Sequence, residues 1–162
     1  MKDVNPAGPI FDVTKLAWMN QQYIQNLSDA DLSRKLTAFY PELRNNETIG
    51  RLIPLVKTRM NTLKDFSLLA HHFLSEPEVL LRDESERKIA QSLLEKLSTL
   101  SSWEKDTIFQ VFKDVMAEYT IKMPVLYALL TGSAKGLPLP ESVEILGKKR
   151  TLARLERIAK TL

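Results

Sequence analysis

The residue types that most often carry catalysis or bind metals are sparse in this chain. Its 162 residues include two histidines, 20 Asp and Glu side chains and no cysteine. The missing cysteine excludes a disulfide framework, a thiolate metal site and a cysteine nucleophile. His71 and His72 are adjacent, so on a helix they point about 100° apart and do not chelate one metal. Acidic pairs such as Glu84 and Glu86 suit a solvated helix start. We therefore predict no catalytic residue and no metal site.

Basic side chains offer a different chemistry, the recognition of a polyanion. The formal net charge is +3, but it is unevenly distributed. Residues 133–162 hold seven Lys and Arg against three acidic residues, and residues 44–64 hold five against one. Residues 65–118 hold six basic and eleven acidic side chains. If the two basic segments meet in the fold, they form a positive surface suited to a nucleic acid. Otherwise they are ordinary solvated helix faces.

Helices must position these side chains, because apolar residues recur at spacings of three and four along the chain. Suitable N-cap residues precede five of the predicted helices: Asp12, Ser28, Asn46, Thr62 and Ser102. Pro124 and Pro140 fit the first turns of two later helices, and Lys148 begins a last, basic amphipathic helix. Pro54 is expected to kink or split the third helix. The predicted fold is all-α, with about eight to nine helices in a bundle or cage.

Residues 75–83 (SEPEVLLRD) are typical of a connection and divide the chain into two small subdomains. We predict an opening segment and first helical subdomain over residues 1–78. The second subdomain covers residues 79–162 and carries the Gly- and Pro-rich loop 132–140. Trp18 is expected in a core or between domains, and Phe109 is expected to face inward.

No segment of the sequence has the length and character of a membrane span or a secretion signal. The longest apolar stretch, residues 124–130, is far shorter than the roughly 18 residues that a spanning helix needs. No apolar run follows the N-terminal residues as it would in a signal peptide. We therefore expect a cytoplasmic location and no contact with membranes.

Three segments, in order and spacing, resemble the C-terminal, anticodon-binding region of bacterial glutamyl-tRNA synthetase. They are FDVTKLAWMNQQYI at residues 11–24, KTRMNTLKDF at residues 57–66, and ALLTGS at residues 128–133 followed by EILGK at residues 144–148. The resemblance covers about residues 5 to 162. Each motif alone is weak, but three in register are specific. The resemblance implies an all-α domain of the class I synthetase anticodon-binding type.

The parent enzyme carries HIGH-like and KMSKS-like motifs in its catalytic domain, and this sequence contains neither. The resemblance therefore implies an excised fragment that does not itself activate glutamate. The sequence is equally compatible with a free-standing tRNA-binding paralogue. ATP and magnesium are expected for the missing catalytic domain, and no cofactor is expected in this chain.

The resemblance also implies which residues contact the anticodon. Arg59 matches the Arg that favours C over G at the third anticodon base, because a guanidinium can donate two parallel hydrogen bonds to cytosine. Gly136, Leu137 and Leu139 match positions around the flipped middle and third bases, where Gly permits close backbone approach and Leu supplies an apolar wall. Tyr127 stands where the family usually has Arg. It could stack on a base, or it could be buried with its hydroxyl satisfied.

Other cations are candidates for phosphate contacts, which position an RNA without reading its sequence. The candidates are Lys57, Lys64, Lys135, Lys148, Lys149 and Arg150. The expected partners are the anticodon arm of tRNA-Glu and the parent's own catalytic domain, with no DNA, and the chain is expected to be monomeric. The competing hypothesis is an all-α protein–protein interaction or scaffold domain. Recognition of RNA requires Arg59 and residues 135–139 to share one face, whereas a scaffold would expose a contiguous apolar patch.

Overall fold

A computed structural model describes residues 12–43, 48–78 and 83–160 of the chain. Over these ranges the chain forms nine α-helices and a short 3-10 helix at Pro41–Leu43, without a strand, which confirms the all-α prediction. The helices are α1 (Val13–Asn26), α2 (Asp29–Phe39), α3 (Thr48–Lys57), α4 (Asp65–Leu74), α5 (Glu84–Ser98), α6 (Lys105–Tyr119), α7 (Met123–Thr131), α8 (Leu139–Leu146) and α9 (Lys148–Lys160). None of the helices described is both long and apolar enough to span a bilayer.

Two of the predicted N-caps are confirmed. The Asp12 carboxylate accepts a hydrogen bond from the Lys15 backbone N–H at 3.0 Å. The Ser28 hydroxyl accepts one from the Asp31 N–H at 3.1 Å. Each side chain therefore satisfies one of the backbone donors that a helix start leaves without a partner. The predicted cap at Asn46 lies outside the described residues.

The predicted caps at Thr62 and Ser102 are wrong, because both helices begin later than the sequence suggested. Helix α4 begins at Asp65, after a turn over the preceding residues. Helix α6 begins at Lys105, and its N-cap is Glu104, whose side chain and backbone pair reciprocally with Thr107 in a capping box. In α6 the capping box displaces Ser102 from the N-cap position. In α4 the N-cap is Lys64, whose side chain makes no capping hydrogen bond.

Helix α3 runs through Pro54 without a break, contrary to the prediction of a split. A proline ring crowds the carbonyl four residues earlier, and it deprives that carbonyl of its donor. That residue is Gly50, which is exposed and has no atom within 4 Å of the position its Cβ would occupy. The open surroundings give the carbonyl access to water, so the helix continues.

The described residues bury two hydrophobic cores. The first is built from residues between Ile24 and Phe73 on α1 to α4, with Leu137 added from the loop before α8. The second is built from residues between Ile89 and Ile158 on α5 to α9. Leu137 therefore crosses from the second half of the chain into the first core. The division at residue 78 stays a prediction.

Phe109, which was expected to face inward, is exposed, and so is Trp18, which was expected in a core or between domains. Phe109 is 39% exposed, because it lies about 100° around α6 from the buried Ile108. The ammonium of Lys113 covers its ring at 5.2 Å from the centroid. Trp18 is 60% exposed, so it does not belong to either core of the described chain.

Candidate nucleic-acid interface

Arg59 lies just beyond the C-terminal end of α3, where it is exposed. Its backbone N–H donates to the Val56 carbonyl at 2.8 Å. One guanidinium nitrogen, Nη1, donates to the Leu55 carbonyl at 2.8 Å. The next residue, Met60, is fully buried. The chain thus anchors Arg59 on both sides while its guanidinium stays at the surface.

The turn that follows Arg59 is held by the carboxylate of Asp65. One carboxylate oxygen accepts from the backbone N–H groups of Asn61 at 2.7 Å and Thr62 at 2.9 Å. The other accepts from the Thr62 hydroxyl at 3.1 Å. Charge-assisted hydrogen bonds of this kind are stronger than neutral ones. They explain why the polar run before α4 forms a fixed turn.

Two side chains from earlier helices reach the same turn. Asn20 of α1 donates its amide N–H to the Asn61 carbonyl. The Tyr40 hydroxyl lies within 3.3 Å of the carbonyls of both Leu63 and Lys64. The first motif of the sequence therefore touches the second, through Asn20. Sequence reasoning missed Tyr40, which carries no motif signal.

The second part of the candidate interface is the loop over residues 132–138. Helix α7 ends at Gly132, whose φ of 72° lies in the left-handed region that glycine adopts without strain. The Thr131 hydroxyl accepts from the Ser133 N–H at 3.4 Å, and the Ser133 hydroxyl donates to the Lys135 carbonyl at 3.0 Å. Lys135 and Gly136 lie exposed at the tip.

Tyr127 connects the two parts. Its hydroxyl donates to the Leu137 carbonyl at 2.8 Å, and its ring is half-buried. Burial raises the pKa of this phenol, while a hydrogen bond from the Leu139 backbone and the nearby charge of Arg59 lower it. The core that holds Leu137 of the loop also holds Met60, the residue that follows Arg59. Recognition of RNA requires Arg59 and residues 135–139 to share one face, which stays a prediction.

The loop passes beside this ring at Gly136. A Cβ at Gly136 would lie 3.9 Å from the Cε1 atom of Tyr127, in ordinary van der Waals contact. The Tyr127 hydroxyl is satisfied by the backbone while the ring is half-buried, and its stacking on a base stays a prediction. Its hydroxyl is already engaged with the backbone, so it tethers the loop.

The side chains of Leu137 and Leu139 do not form an apolar wall at the surface, contrary to expectation. Each is 1% exposed. Leu137 lies in the first core and Leu139 in the second. Alternate positions along the loop thus insert into different cores, and only the backbone of this stretch is available to a base.

Three of the six cations suggested for phosphate contacts have partners within the protein. The Lys57 ammonium pairs with Asp29 at 2.9 Å. The Lys148 ammonium donates to the Leu100 carbonyl at 2.7 Å. Arg150 is hydrogen-bonded to residues at the end of α4 and beyond it. These contacts compete with RNA phosphates, so the three cations are weaker candidates than their charges suggest.

The remaining three suggested cations, Lys64, Lys135 and Lys149, are exposed. Lys64 ends the turn that begins beside Arg59, and Lys135 lies at the tip of the loop. Arg154, which the charge count included in the basic surface, is 1% exposed. Fewer of these cations are therefore available at the surface than the charge count suggested.

The two histidines are engaged in packing. His71 Nε2 lies 2.7 Å from the Thr131 carbonyl oxygen, and Nδ1 lies 3.2 Å from that of Leu68. His72 is buried, and burial followed by nearby positive charge lowers its pKa to about 3. Within the described ranges, no group of three or more His, Asp or Glu side chains could hold a metal ion.

This all-helical chain is matched by a known class of domain. A family model described as an anticodon binding domain matches residues 16–159. The chain belongs to this family of anticodon binding domains.

The curated relatives that the chain matches include glutamate–tRNA ligases. The chain is 34% identical to the glutamate–tRNA ligase of Chlamydia trachomatis, over 95% of this chain and 33% of the relative. It is also 34% identical to glutamate–tRNA ligase 1 of Pseudothermotoga lettingae, over 95% of this chain and 34% of that protein. The chain thus spans about a third of the length of these relatives.

Solved structures give the same result. A crystal structure of a glutamate tRNA ligase from Elizabethkingia meningosepticum, in complex with its amino acid, superposes with a TM-score of 0.76 at 26% identity. The match covers 98% of this chain and 34% of that one. A glutamate–tRNA synthetase from Elizabethkingia anophelis superposes with a TM-score of 0.72 at 25% identity, over 93% of this chain and 32% of the other.

Proposed function

We propose that this chain binds the anticodon arm of tRNA-Glu and contributes to tRNA selection by a glutamate–tRNA ligase. The observation that carries the proposal is the packing of Leu137, from the loop 132–138, into the core that holds Met60, the neighbour of Arg59. We propose that the turn after Arg59 and the loop, which the Tyr127 hydroxyl bonds, lie side by side on one face. An anticodon loop offers unstacked bases whose Watson–Crick edges such backbone and side-chain groups can read.

Arg59 is the residue we assign to the third anticodon base. Its exposed guanidinium can donate to the N3 and O2 acceptors of cytosine, whereas the same edge of guanine presents N–H donors at N1 and N2 and leaves only O6 as an acceptor. The bond from Nη1 to the Leu55 carbonyl restricts where the planar group points. A restricted donor reads a base better than a mobile one, because less side-chain entropy is lost on binding.

The loop is the element that we assign to backbone contacts with the neighbouring bases. Lys135 and Gly136 are exposed, so their peptide groups are within reach, and Lys135 can also meet a phosphate. Tyr127, whose hydroxyl bonds the loop, is assigned the role of a tether where the family usually has an arginine. Lys64 and Lys149 complete the phosphate contacts that we propose.

The test is a titration of the chain with a tRNA-Glu anticodon hairpin and with the same hairpin carrying G at the third anticodon position. We expect the C hairpin to bind more tightly, and Arg59→Gln to reduce that preference by roughly 1–3 kcal/mol. The matched control is Lys88→Gln on α5, which removes the same charge from an exposed position and should leave the preference unchanged. Equal loss for both RNAs in Arg59→Gln would show that Arg59 does not read the base.

The dependence of binding on salt tests the phosphate contacts. Each neutralised phosphate releases counterions, so the logarithm of the binding constant should fall linearly with that of the salt concentration. A Lys64→Gln, Lys135→Gln double variant should bind both hairpins less tightly and show a shallower slope. A flat salt response of the unmodified chain would favour the scaffold hypothesis.

The complete ligase activity is also part of this proposal. We propose that a complete ligase containing this chain attaches glutamate to tRNA-Glu in the cytoplasm. ATP and magnesium would bind to the part of such a ligase that corresponds to the unmatched two thirds of the relatives. The role of the described residues is then to hold the anticodon arm. We propose that the chain binds RNA as a monomer and without a cofactor of its own.

One apolar surface fits the rest of such a ligase. Helix α1 exposes a stripe of large apolar side chains at helical spacing. The stripe consists of Val13 (66% exposed), Leu16 (49%), Met19 (52%) and Tyr23 (54%). A surface of this kind marks a contact site. The relatives are about three times as long as the matching region, so we propose that their remaining two thirds cover this stripe.

The occupant of the stripe can be identified by mixing experiments. The chain should bind the remaining two thirds of the Chlamydia trachomatis ligase, prepared separately, in a calorimetric titration. Leu16→Asp with Met19→Asp should abolish that binding and leave hairpin binding intact. Self-association of the chain through the same stripe, abolished by the same double variant, would instead indicate a contact between copies and overturn the assignment.

A further inference from the structure

A buried arginine joins the two halves of the domain. Arg154 of α9 is 1% exposed and makes three hydrogen bonds. Its Nη1 donates to the Leu130 carbonyl at 2.7 Å, and its Nη2 donates to the His72 carbonyl at 3.1 Å. Its Nε donates to the Glu76 carboxylate at 3.0 Å. A planar guanidinium with donors in a fixed fork suits three acceptors at once.

The two carbonyls lie at the ends of different helices. His72 is in the last turn of α4, and Leu130 is in the last turn of α7. The final carbonyls of a helix have no partners within it and carry partial negative charge. Arg154 therefore neutralises two helix ends at once, and Glu76 balances its charge. The three groups Arg154, Glu76 and the paired helix ends form what we call the pin.

Further contacts tie the same helix ends together around the pin. Arg150 donates to Glu76 at 2.7 Å and to the Phe73 carbonyl at 3.1 Å. His71 Nε2 lies 2.7 Å from the Thr131 carbonyl oxygen. Several contacts besides those of Arg154 therefore hold the junction of α4 and α7 in place.

The two helices that the pin joins carry the two parts of the interface. Helix α4 belongs to the first core and follows directly on the turn that holds Arg59. Helix α7 leads directly into the loop 132–138. The separation of Arg59 from the loop tip therefore depends on how the end of α4 is set against the end of α7.

We infer that Arg154 and Glu76 are positioning residues, which set the spacing between Arg59 and the loop and thereby the selectivity for the anticodon. This inference rests on the proposed function. Arg154 is buried, so its effect cannot come from a contact with RNA. The pin acts through the relative placement of two rigid helices, and reading groups that are displaced by about 1 Å lose much of their effect.

The first experiment measures the geometry without RNA. The chain has no cysteine, so Ala38→Cys on α2 and Ala117→Cys on α6 provide two exposed positions for spin labels, one on each half. With the pin unmodified, we expect a narrow distribution of the distance between the two spin labels. Glu76→Gln should broaden or shift it, and Arg154→Lys should do the same because an ammonium lacks the planar fork. Glu84→Gln, which breaks a pair within α5 alone, is the matched control.

The second experiment measures selectivity with the same variants. Glu76→Gln should lower the preference for the C hairpin over the G hairpin by about tenfold, at a temperature where circular dichroism shows the chain fully folded. The Glu76 side chain is 42% exposed, so its neutral isostere is not expected to prevent folding. Glu84→Gln should leave the preference unchanged.

The outcomes separate the inference from the function on which it rests. An unchanged distance distribution in both pin variants, or an unchanged hairpin preference in a variant whose distances have changed, overturns the inference. Failure of the unmodified chain to bind either hairpin overturns the proposed function and, with it, the claim about selectivity. In that case altered distances would still establish the pin as the structural link between the halves.

Discussion

Arg59 and Arg154 illustrate two fates of the same side chain. Both come from the basic segments of the sequence, and both donate to carbonyls at the end of a helix. Arg59 lies on the surface, and one of its nitrogens bonds the end of α3. Arg154 is enclosed by a second helix end and a carboxylate, and it is 1% exposed. The difference lies in what packs over the arginine and not in its local chemistry.

The comparison shows why a count of charges overestimates an RNA-binding surface. Seven cations lie in residues 133–162, but Arg154 is internal and Arg150 and Lys148 bond elsewhere in the domain. A cation that neutralises helix ends contributes to the stability of the fold and is no longer available at the surface to bind RNA. The comparison can be tested by substituting Arg154, Arg59 and the residues that lie beside each of them.

The largest effect is expected from removing the buried arginine. Arg154→Met should lower the free energy of unfolding by about 3–5 kcal/mol, because it leaves two buried carbonyls without their donor and removes one of the arginines paired with Glu76. Arg59→Met removes an exposed side chain and should change it by about 0.5 kcal/mol or less. Urea denaturation measures both. Similar losses in the two variants would contradict the distinction drawn between them.

The buried histidine beside the pin should make stability depend on pH. The folded pKa of His72 is about 3, depressed first by burial, against an ordinary value of 6.5. Between these values the unfolded chain binds the extra proton, so stability falls as the pH is lowered from 6.5. The loss should approach about 1.4 kcal/mol per pH unit at most.

His72→Phe is the variant that isolates this dependence. It keeps an aromatic ring beside Phe73 and removes two buried nitrogens that have no hydrogen-bond partner in the described structure. The variant should show a flatter stability profile than the unmodified chain between pH 6.5 and 4.5, measured by denaturation at each pH. Parallel profiles would show that His72 is not the group responsible.

The backbone beside the pin predicts a smaller effect. Gly132 has a φ of 72°, and a Cβ there would lie 2.9 Å from the Cβ of Pro77. Gly132→Ala should therefore cost about 1–2 kcal/mol of stability, from the left-handed conformation alone. Gly136→Ala, whose added Cβ meets only Tyr127 at 3.9 Å, is the control and should change the thermal midpoint little.

The smallest effect concerns the tether between the two parts of the interface. Tyr127→Phe removes the hydroxyl that donates to the Leu137 carbonyl at 2.8 Å and keeps the ring. The loss of stability should be about 1 kcal/mol, typical of one hydrogen bond. Hairpin binding by the variant shows whether the tether also orders the loop for RNA. A variant as stable as the original chain would show that the bond is replaced by water.

Much of the fold follows from local patterns in the sequence. The helical spacing of apolar residues, the caps at Asp12 and Ser28 and the glycine that ends α7 are each decided within a few residues. The predictions failed where neighbouring residues competed for the same N-cap position or for the buried face of a helix. The capping residue of α6 is Glu104 and not Ser102, and Phe109 lies at the margin of the buried face.

The candidate site could be predicted only in part. The motifs marked Arg59 and the loop, and the structure packs the neighbour of Arg59, Met60, and Leu137 of the loop into the same core. The burial of Leu137 and Leu139 could not be predicted, because a loop between two cores can direct alternate side chains into either. The contribution of Tyr40 to the turn also could not be predicted, since its hydroxyl crosses from a different helix.

The sequence by itself determined the helices, their order and the family, because helix periodicity, capping and motif spacing act over short stretches of chain. The tertiary structure alone decided which arginine faces solvent and which closes the junction of α4 and α7. Burial depends on elements far apart in the chain: Arg154 meets the His72 carbonyl across 82 positions. A charge becomes internal only when two helix ends and a carboxylate converge on it to replace water.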